Sequence, residues 1–149
     1  MIDDILKKFQ SENVNELITA LIEAKKEFLP VIKDGNGRFK YASVDSIKDS
    51  VDKALFNHCL SFDCYEDIDE KDRRILISVL THGKSGQWRR SLCEIIPDTG
   101  NGRTGNQAHG SGKTYARRYA MRDMLNISDS DDDPDNNQEK KSSSKNTIS

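Results

Sequence analysis

The fold is decided by a run of aliphatic and β-branched residues, RRILISVLTH, at positions 73–82. Its apolar side chains alternate between two faces, with Ile75, Ile77 and Val79 on one and Leu76 and Leu80 on the other. The run is followed by Gly83-Lys84-Ser85-Gly86 and by a second β-prone run at 87–96. A short connection with glycine at each end is typical of a β-hairpin. We therefore predict two antiparallel strands here.

The remaining periodic segments complete an α+β domain. A loosely alternating stretch at 61–66 predicts a further strand. Apolar residues at helical spacing predict four helices, at 1–10, 14–33, 44–58 and about 111–125. Asn13 and Ser43 precede two of these helices and are candidate N-caps. The predicted architecture is a small antiparallel β-meander with helices packed on one face. Between the elements, 34–37 and 97–106 predict turns or loops, and 38–41 predicts extended chain.

Composition divides the chain into a folded body, 1–127, and an acidic tail, 128–149. Only 34% of the 149 residues are hydrophobic and 32% are charged, but the polarity is concentrated at the end of the chain. The tail has one aliphatic residue, Ile148, and no aromatic residue. Its charged residues are Asp129, Asp131, Asp132, Asp133, Asp135, Glu139, Lys140, Lys141 and Lys145. Because the tail has so little to bury, we predict that it is disordered.

The sequence also argues against several classes of protein. Three cysteines without a Cys-x-x-Cys pair do not form a disulfide framework, and they fit a reducing cytoplasm. No apolar run approaches the ~18 residues of a membrane span. The first ten residues contain Asp3 and Asp4 and lack the apolar stretch of a signal peptide. We therefore expect a cytoplasmic protein that does not contact a membrane.

The segment with the strongest functional signal is QAHGSGKTYARRYAM, at 107–121. It predicts a glycine-bearing turn that opens into a helix rich in arginine and tyrosine. The start of a helix offers unpaired N–H groups and a positive dipole end to a phosphate. Arginine forks onto phosphate oxygens, and tyrosine stacks on bases. The candidate contacts with single-stranded DNA are Lys113, Tyr115, Arg117, Arg118, Tyr119 and Arg122. Tyr115 and Tyr119 have an alternative interpretation as core residues with solvated hydroxyls.

The second β-prone run carries three further candidates. Arg89 and Arg90 are consecutive, so a strand points them to opposite faces. In one interpretation, one of them lines a DNA groove together with Lys84 while the other is a surface charge. In the alternative, none of the three contacts DNA.

Other chemical signals are weaker. Gly110-Ser111-Gly112-Lys113-Thr114 has the end of a P-loop, but position 107, where the motif requires glycine, is Gln107. The three histidines and three cysteines have no zinc-ligand spacing. The acidic residues between 63 and 70 are better explained as a solvated turn than as a nuclease metal site. We therefore expect no cofactor, no metal and no catalytic residue, and a protein that is not an enzyme.

The same segment resembles the signature of the ERF family, the essential recombination function proteins of temperate phages. The matching residues are Gln107, Gly110-Ser111, Thr114-Tyr115-Ala116-Arg117-Arg118-Tyr119-Ala120, Leu125-Asn126-Ile127 and Asp131-Asp132-Asp133. Two upstream parts of the chain also look like the family. They are Lys40-Tyr41-Ala42 with Val44-Asp45, and Leu80-Thr81-His82 with Ser85-Gly86. The likeness covers about 14–133. Gly112-Lys113 departs from it, since the family more often has small or apolar residues there. This departure either loosens the start of the helix or adds a phosphate contact.

The resemblance implies a β-β-β-α core like that of annealing recombinases. It also implies ATP-independent annealing of complementary single strands and assembly into oligomeric rings. A phage exonuclease or a host replication protein is a candidate partner of the acidic tail. The alternatives are that the tail mimics DNA electrostatically or is only a solubilising linker. The alternative function is a phage regulatory or structural module that binds another protein and not DNA.

Overall fold

The structure is a computed structural model, and it describes residues 2–34 and 41–128. The predicted turn at 34–37 and the extended segment at 38–41 fall mostly outside these residues, as does almost all of the predicted disordered tail. The elements in chain order are α1 (Ile2–Phe9), α2 (Asn15–Lys25), α3 (Val44–Asn57), β1 (Leu60–Ile68), β2 (Arg74–His82), β3 (Trp88–Glu94) and α4 (Gly105–Met124), with a short 3-10 turn at Gly100–Gly102 before α4. This order confirms the predicted α+β class.

The sheet is a three-stranded antiparallel meander in the order β1-β2-β3. Phe62 pairs with Leu80 across the first two strands, and Leu80 pairs with Arg89 across the second and third. Side chains alternate between faces as the sequence predicts, and Leu76 and Leu80 are almost fully buried. With α4 following the meander, the chain has the β-β-β-α order.

The main core lies between one face of the sheet and α2, α3 and α4. It joins Leu17 and Leu21 of α2 to Ile47 and Val51 of α3 and to Leu125 just beyond α4. Leu60 and Leu80 contribute from the sheet to the same core. The first helix lies beside β3 instead, where Gln10 forms a bridge with Arg89. The prediction that helices pack on one face is therefore confirmed for α2, α3 and α4.

The predicted helix at 14–33 is too long, since α2 ends at Lys25. Pro30 lacks an N–H and disfavours helical geometry at Leu29. The chain after α2 runs along α3, where the Leu29 N–H donates to the Ser50 carbonyl at 3.0 Å and the Ser50 hydroxyl donates back to the Leu29 carbonyl.

The predicted Asn13 cap is also wrong. The Leu17 N–H instead donates to Oε1 of Gln87 at 2.9 Å, so a residue from the hairpin region caps α2.

The predicted glycine turn before the last helix is wrong as well. Helix α4 begins at Gly105, so Gly110 and Gly112 lie inside it. One stripe of α4 consists of small residues four positions apart: Ala108, Gly112, Ala116 and Ala120 are all buried. A Cβ atom added at Gly112 would stand 2.1 Å from the carbonyl oxygen of Ile96. Glycine is therefore at this position because the helix lies against backbone, and neither a turn nor a loosened helix start explains it.

Candidate nucleic-acid interface

Five side chains form an aromatic–arginine cluster on α4 and the segment before α3: Tyr41, Tyr115, Arg118, Tyr119 and Arg122. The guanidinium carbon of Arg118 lies 4.5 Å from the ring centre of Tyr41 and 5.3 Å from those of Tyr115 and Tyr119. Arg122 lies 5.2 Å from the Tyr119 ring. The two helix tyrosines are 4.5 Å apart, with their planes inclined by 45°. The cluster is a partly exposed surface of alternating cations and rings.

Helical periodicity assembles the α4 part of this cluster. Tyr115 and Tyr119 are four residues apart, as are Arg118 and Arg122, so each pair shares a side of the helix. The buried stripe of small residues fixes the orientation of the helix on the sheet. Tyr115 remains 58% exposed, so the interpretation of this tyrosine as a core residue is wrong.

Tyr41 comes from a distant part of the chain and was not predicted as a site residue. Ala42, next to it, is buried, and the Ser43 N–H and hydroxyl donate to the two carboxylate oxygens of Asp34 at 2.9 and 2.8 Å. These bonds, the one from the N–H first, lower the pKa of Asp34. They hold Tyr41 at the start of α3. The only sequence signal for Tyr41 was its place in the Lys40-Tyr41-Ala42 likeness.

Arg117 and Arg118 have no carboxylate partner in the part of the chain that the structure describes. Within residues 2–34 and 41–128, no carboxylate oxygen lies within 4 Å of either guanidinium group. The Nε atoms of both residues are buried and make no hydrogen bond in those ranges. A buried donor without an acceptor is costly, and a phosphate oxygen is a strong acceptor for a guanidinium. Consecutive helical residues point about 100° apart, and Arg117 accordingly lies in a different cleft, beside α3 and β1.

Lys113 has a carboxylate partner. Its Nζ lies 2.9 Å from Oε1 of Glu66 on β1, and Nε2 of His109 lies 3.0 and 3.1 Å from the two oxygens of that carboxylate. Hydrogen bonds from Lys113 and then from His109 hold the pKa of Glu66 below its usual value. Lys113 also lies inside α4, away from the helix start where the sequence placed it. Its contact with DNA stays a prediction, and Glu66 would compete for the ammonium group.

The candidates from the hairpin region have other neighbours. Arg90 stacks over Trp88 at 5.5 Å, and its Nε donates to the carbonyl of Lys8. Arg89 lines a shallow cavity with Lys25 of α2, and Lys84 lies in the turn between β2 and β3. The structure does not bring these three residues into the aromatic–arginine cluster. Their role in DNA binding also stays a prediction.

The described residues lack the features of a metal site and of a membrane span. In the two described ranges, no group of three or more histidine, cysteine, aspartate or glutamate residues is arranged to hold a metal ion. No helix in those ranges combines the length and apolarity that crossing a bilayer requires. The Gly110–Thr114 segment, which ends like a P-loop, is helical and does not form a phosphate-binding loop.

Comparison with known proteins places the chain in a family. The model of the ERF superfamily matches residues 16–149, which include α3, α4, the whole sheet and all of α2 except its first residue. No curated protein and no solved structure matches the chain. The match confirms the resemblance carried by the α4 segment. The chain therefore belongs to the ERF superfamily, a family of phage recombination proteins.

Proposed function

We propose that the protein binds single-stranded DNA and anneals complementary strands without ATP during phage homologous recombination and repair. The observation that supports this most is the aromatic–arginine cluster, in which Arg118 lies among Tyr41, Tyr115 and Tyr119 and has no carboxylate partner among the residues that the structure describes. Membership of the ERF superfamily gives independent support for a role in recombination.

The chemistry of the cluster suits a strand bound without regard to sequence. Guanidinium groups bind phosphate oxygens through N–H donors that lie in the plane of the group. Exposed tyrosine rings stack on bases, which contributes ~1–3 kcal/mol per base and tolerates every base type. Annealing is accelerated because the cations reduce repulsion between two phosphate backbones. No bond of the DNA is broken, so the activity needs no catalytic residue and no cofactor.

Assembly and partners are part of the same proposal. Several copies in an oligomeric ring would extend the cluster into a continuous track for one strand. Residues 1–127 would form the annealing domain. Residues 128–149 would recruit a phage exonuclease or a host replication protein in the bacterial cytoplasm. Deleting 129–149 should leave DNA binding intact and reduce recombination in cells, and unchanged recombination would argue against this role of the tail.

The direct test of DNA binding compares Arg118→Ala with Arg73→Ala. Arg73 is a suitable control because it pairs with Asp69 at 2.7 Å in a turn far along the chain from α4, and its loss changes the net charge equally. We expect Arg118→Ala to weaken binding to a labelled oligo(dT) about tenfold or more. We also expect a shallower salt dependence, by about 0.7 in the slope of log K against log salt, for each lost phosphate contact.

Three outcomes would count against the proposal. The first is equal affinity of the two variants, measured by fluorescence anisotropy, with circular dichroism showing that both are folded. The second is the absence of any shift of a long single strand at low salt, which would favour the protein-binding module instead. The third is ATP hydrolysis that depends on single-stranded DNA and is abolished by Lys113→Ala.

A further inference from the structure

A cleft of about 360 Å³ opens between α3, β1 and α4. It is at the lower end of the ~300–1,000 Å³ typical of small-ligand sites. Its wall on α3 includes Lys48, Asp52 and Phe56, which lie four residues apart on one side of that helix. Phe62 is among the residues that line it from β1, and Arg117 is among those from α4. None of these residues belongs to the aromatic–arginine cluster.

The cationic side of the cleft fits a phosphate. Arg117 has a buried Nε without a hydrogen-bond acceptor in the described ranges. Lys48 lines the same cleft, and within those ranges neither residue lies within 4 Å of a carboxylate oxygen. Although Asp52 also lines the cleft, the three charges sum to a net positive site. An anion entering the cleft would thus meet two cations, the Lys48 ammonium group and the Arg117 guanidinium group.

The α3 wall also fits a base. Phe56 is 81% exposed, the highest value among the large hydrophobic side chains that the structure describes as exposed. An aromatic face open to solvent beside cations is the arrangement on which bases of a single strand stack. The Asp52 carboxylate is an acceptor at the same wall, and carboxylates accept hydrogen bonds from exocyclic amino groups such as that of cytosine.

We propose that this cleft holds one nucleotide of the bound strand, with its base stacked on Phe56 and its phosphate bound by Arg117 and Lys48. The inference rests on the proposed function and adds a second contact to it. Because Arg117 and Arg118 point to different sides of α4, one helix serves both the cluster and the cleft. Asp52 gives the cleft a preference for bases that carry an exocyclic amino group over thymine.

The test uses the full-length protein and oligonucleotides that carry 2-aminopurine, whose fluorescence reports stacking. Phe56→Ala should weaken binding about tenfold, which corresponds to ~1.4 kcal/mol, and should remove the fluorescence change. Phe56→Trp should preserve both. Because Phe56 is largely exposed, neither variant should alter the fold. The control is Ile32→Ala, which removes a side chain that is 73% exposed elsewhere on the surface.

The base preference is tested separately. Asp52→Ala should reduce the ratio of affinities for oligo(dC) and oligo(dT) about threefold or more. Asp49→Ala removes the same charge one turn away on α3, outside this cleft, and should leave that ratio unchanged. An equal ratio in the two variants would overturn the role of Asp52.

The outcomes also separate this inference from the proposed function. If wild type binds no single strand, the proposed function fails. If wild type binds a single strand, the variants of the cleft are compared with their controls. Only the cleft is refuted if Phe56→Ala binds as tightly as Ile32→Ala and Arg117→Ala binds as tightly as Arg73→Ala. Saturable binding of dCMP alone at micromolar concentration would assign the cleft to free nucleotides. A change in oligomer mass on Phe56→Ala, measured by light scattering with the 2-aminopurine signal intact, would assign Phe56 to a subunit interface. Either of the last two results overturns the strand-bound nucleotide.

Discussion

Gly112→Ala should destabilise the protein, although alanine is the better helix former. An added Cβ would lie 2.1 Å from the carbonyl oxygen and 2.9 Å from the carbonyl carbon of Ile96. The segment after β3 that contains Ile96 cannot move freely, because hydrogen bonds hold it on both sides. The Ile95 N–H donates to the Arg74 carbonyl at 2.8 Å, and the Asp98 N–H donates to the Ala108 carbonyl at 2.9 Å. Overpacking against a fixed neighbour costs ~1–3 kcal/mol or more. The gain in helix propensity, ~0.8–1.0 kcal/mol, offsets only part of that cost.

Gly110→Ala is the matched control. Gly110 lies in the same helix two residues earlier, and an added Cβ would meet nothing within 4 Å. This variant should therefore gain ~0.5–1 kcal/mol relative to wild type. The two substitutions are chemically identical, so their difference isolates the contact with Ile96 and should amount to about 1–3 kcal/mol, the overpacking cost itself.

Urea denaturation of both variants, followed by circular dichroism, measures this difference. The midpoint should fall for Gly112→Ala and rise for Gly110→Ala, with similar slopes if the denatured states are equally compact. Equal midpoints, or a more stable Gly112→Ala, would show that α4 does not lie against the Ile96 backbone. That result would also mean that packing against Ile96 does not explain why the segment with Gly110 and Gly112 is helical.

Three further predictions concern stability. Ser43→Ala should cost ~0.5–2 kcal/mol in thermal or urea unfolding, because the Ser43 hydroxyl oxygen accepts the Ser46 N–H at 3.1 Å, while Ser43→Gly should cost less. Gln87→Ala should cost ~1 kcal/mol, because it leaves the Leu17 N–H at the start of α2 without its acceptor, whereas Gln87→Glu should retain most of the stability. Because the pKa of Glu66 is lowered in the folded protein, its carboxylate adds stability at pH values above ~4.3, the pKa of a glutamate in the unfolded chain. This contribution is lost as the pH falls through the lower pKa of the folded state. Melting temperatures between about pH 3 and pH 6 should accordingly fall less steeply in Glu66→Gln than in wild type or Glu70→Gln, and parallel curves would contradict the role of Glu66.

The sheet and its faces were predictable because alternation is a local property of the sequence. Residues 73–82 are an uninterrupted β-prone run with apolar side chains on both faces, and the turn after them has glycine at both ends. The Ser43 cap was predictable for the same reason, since a serine directly before an apolar periodic run is a local signal. The Asn13 cap failed because the acceptor for the start of α2 is Gln87, from a distant hairpin.

The start of α4 could not be predicted from local propensity. Gly105, Gly110 and Gly112 together are typical of a loop, and each lowers helix propensity by ~1 kcal/mol relative to alanine. Tertiary packing outweighs that cost, since only a residue without a side chain lets the helix lie against Ile96. Tyr41 was missed for a related reason. Its place beside Arg118 follows from how α3 and α4 pack, which no periodicity within either helix encodes.

The longer helix changes how this protein could meet DNA. The predicted glycine-bearing turn would have offered backbone N–H groups to a phosphate. The N–H groups of residues 110–113 instead lie inside α4, where they form helical hydrogen bonds. Recognition therefore falls to side chains. The rings of Tyr41, Tyr115 and Tyr119 lie around the guanidinium group of Arg118. A ring that contacts the face of a guanidinium group leaves the N–H donors in its plane for phosphate oxygens. Lysine has no such division between face and edge, so Arg118→Lys should lose affinity for single strands although the charge is kept. Equal affinity of Arg118→Lys and wild type would mean that charge alone, and not the geometry of the cluster, holds the strand.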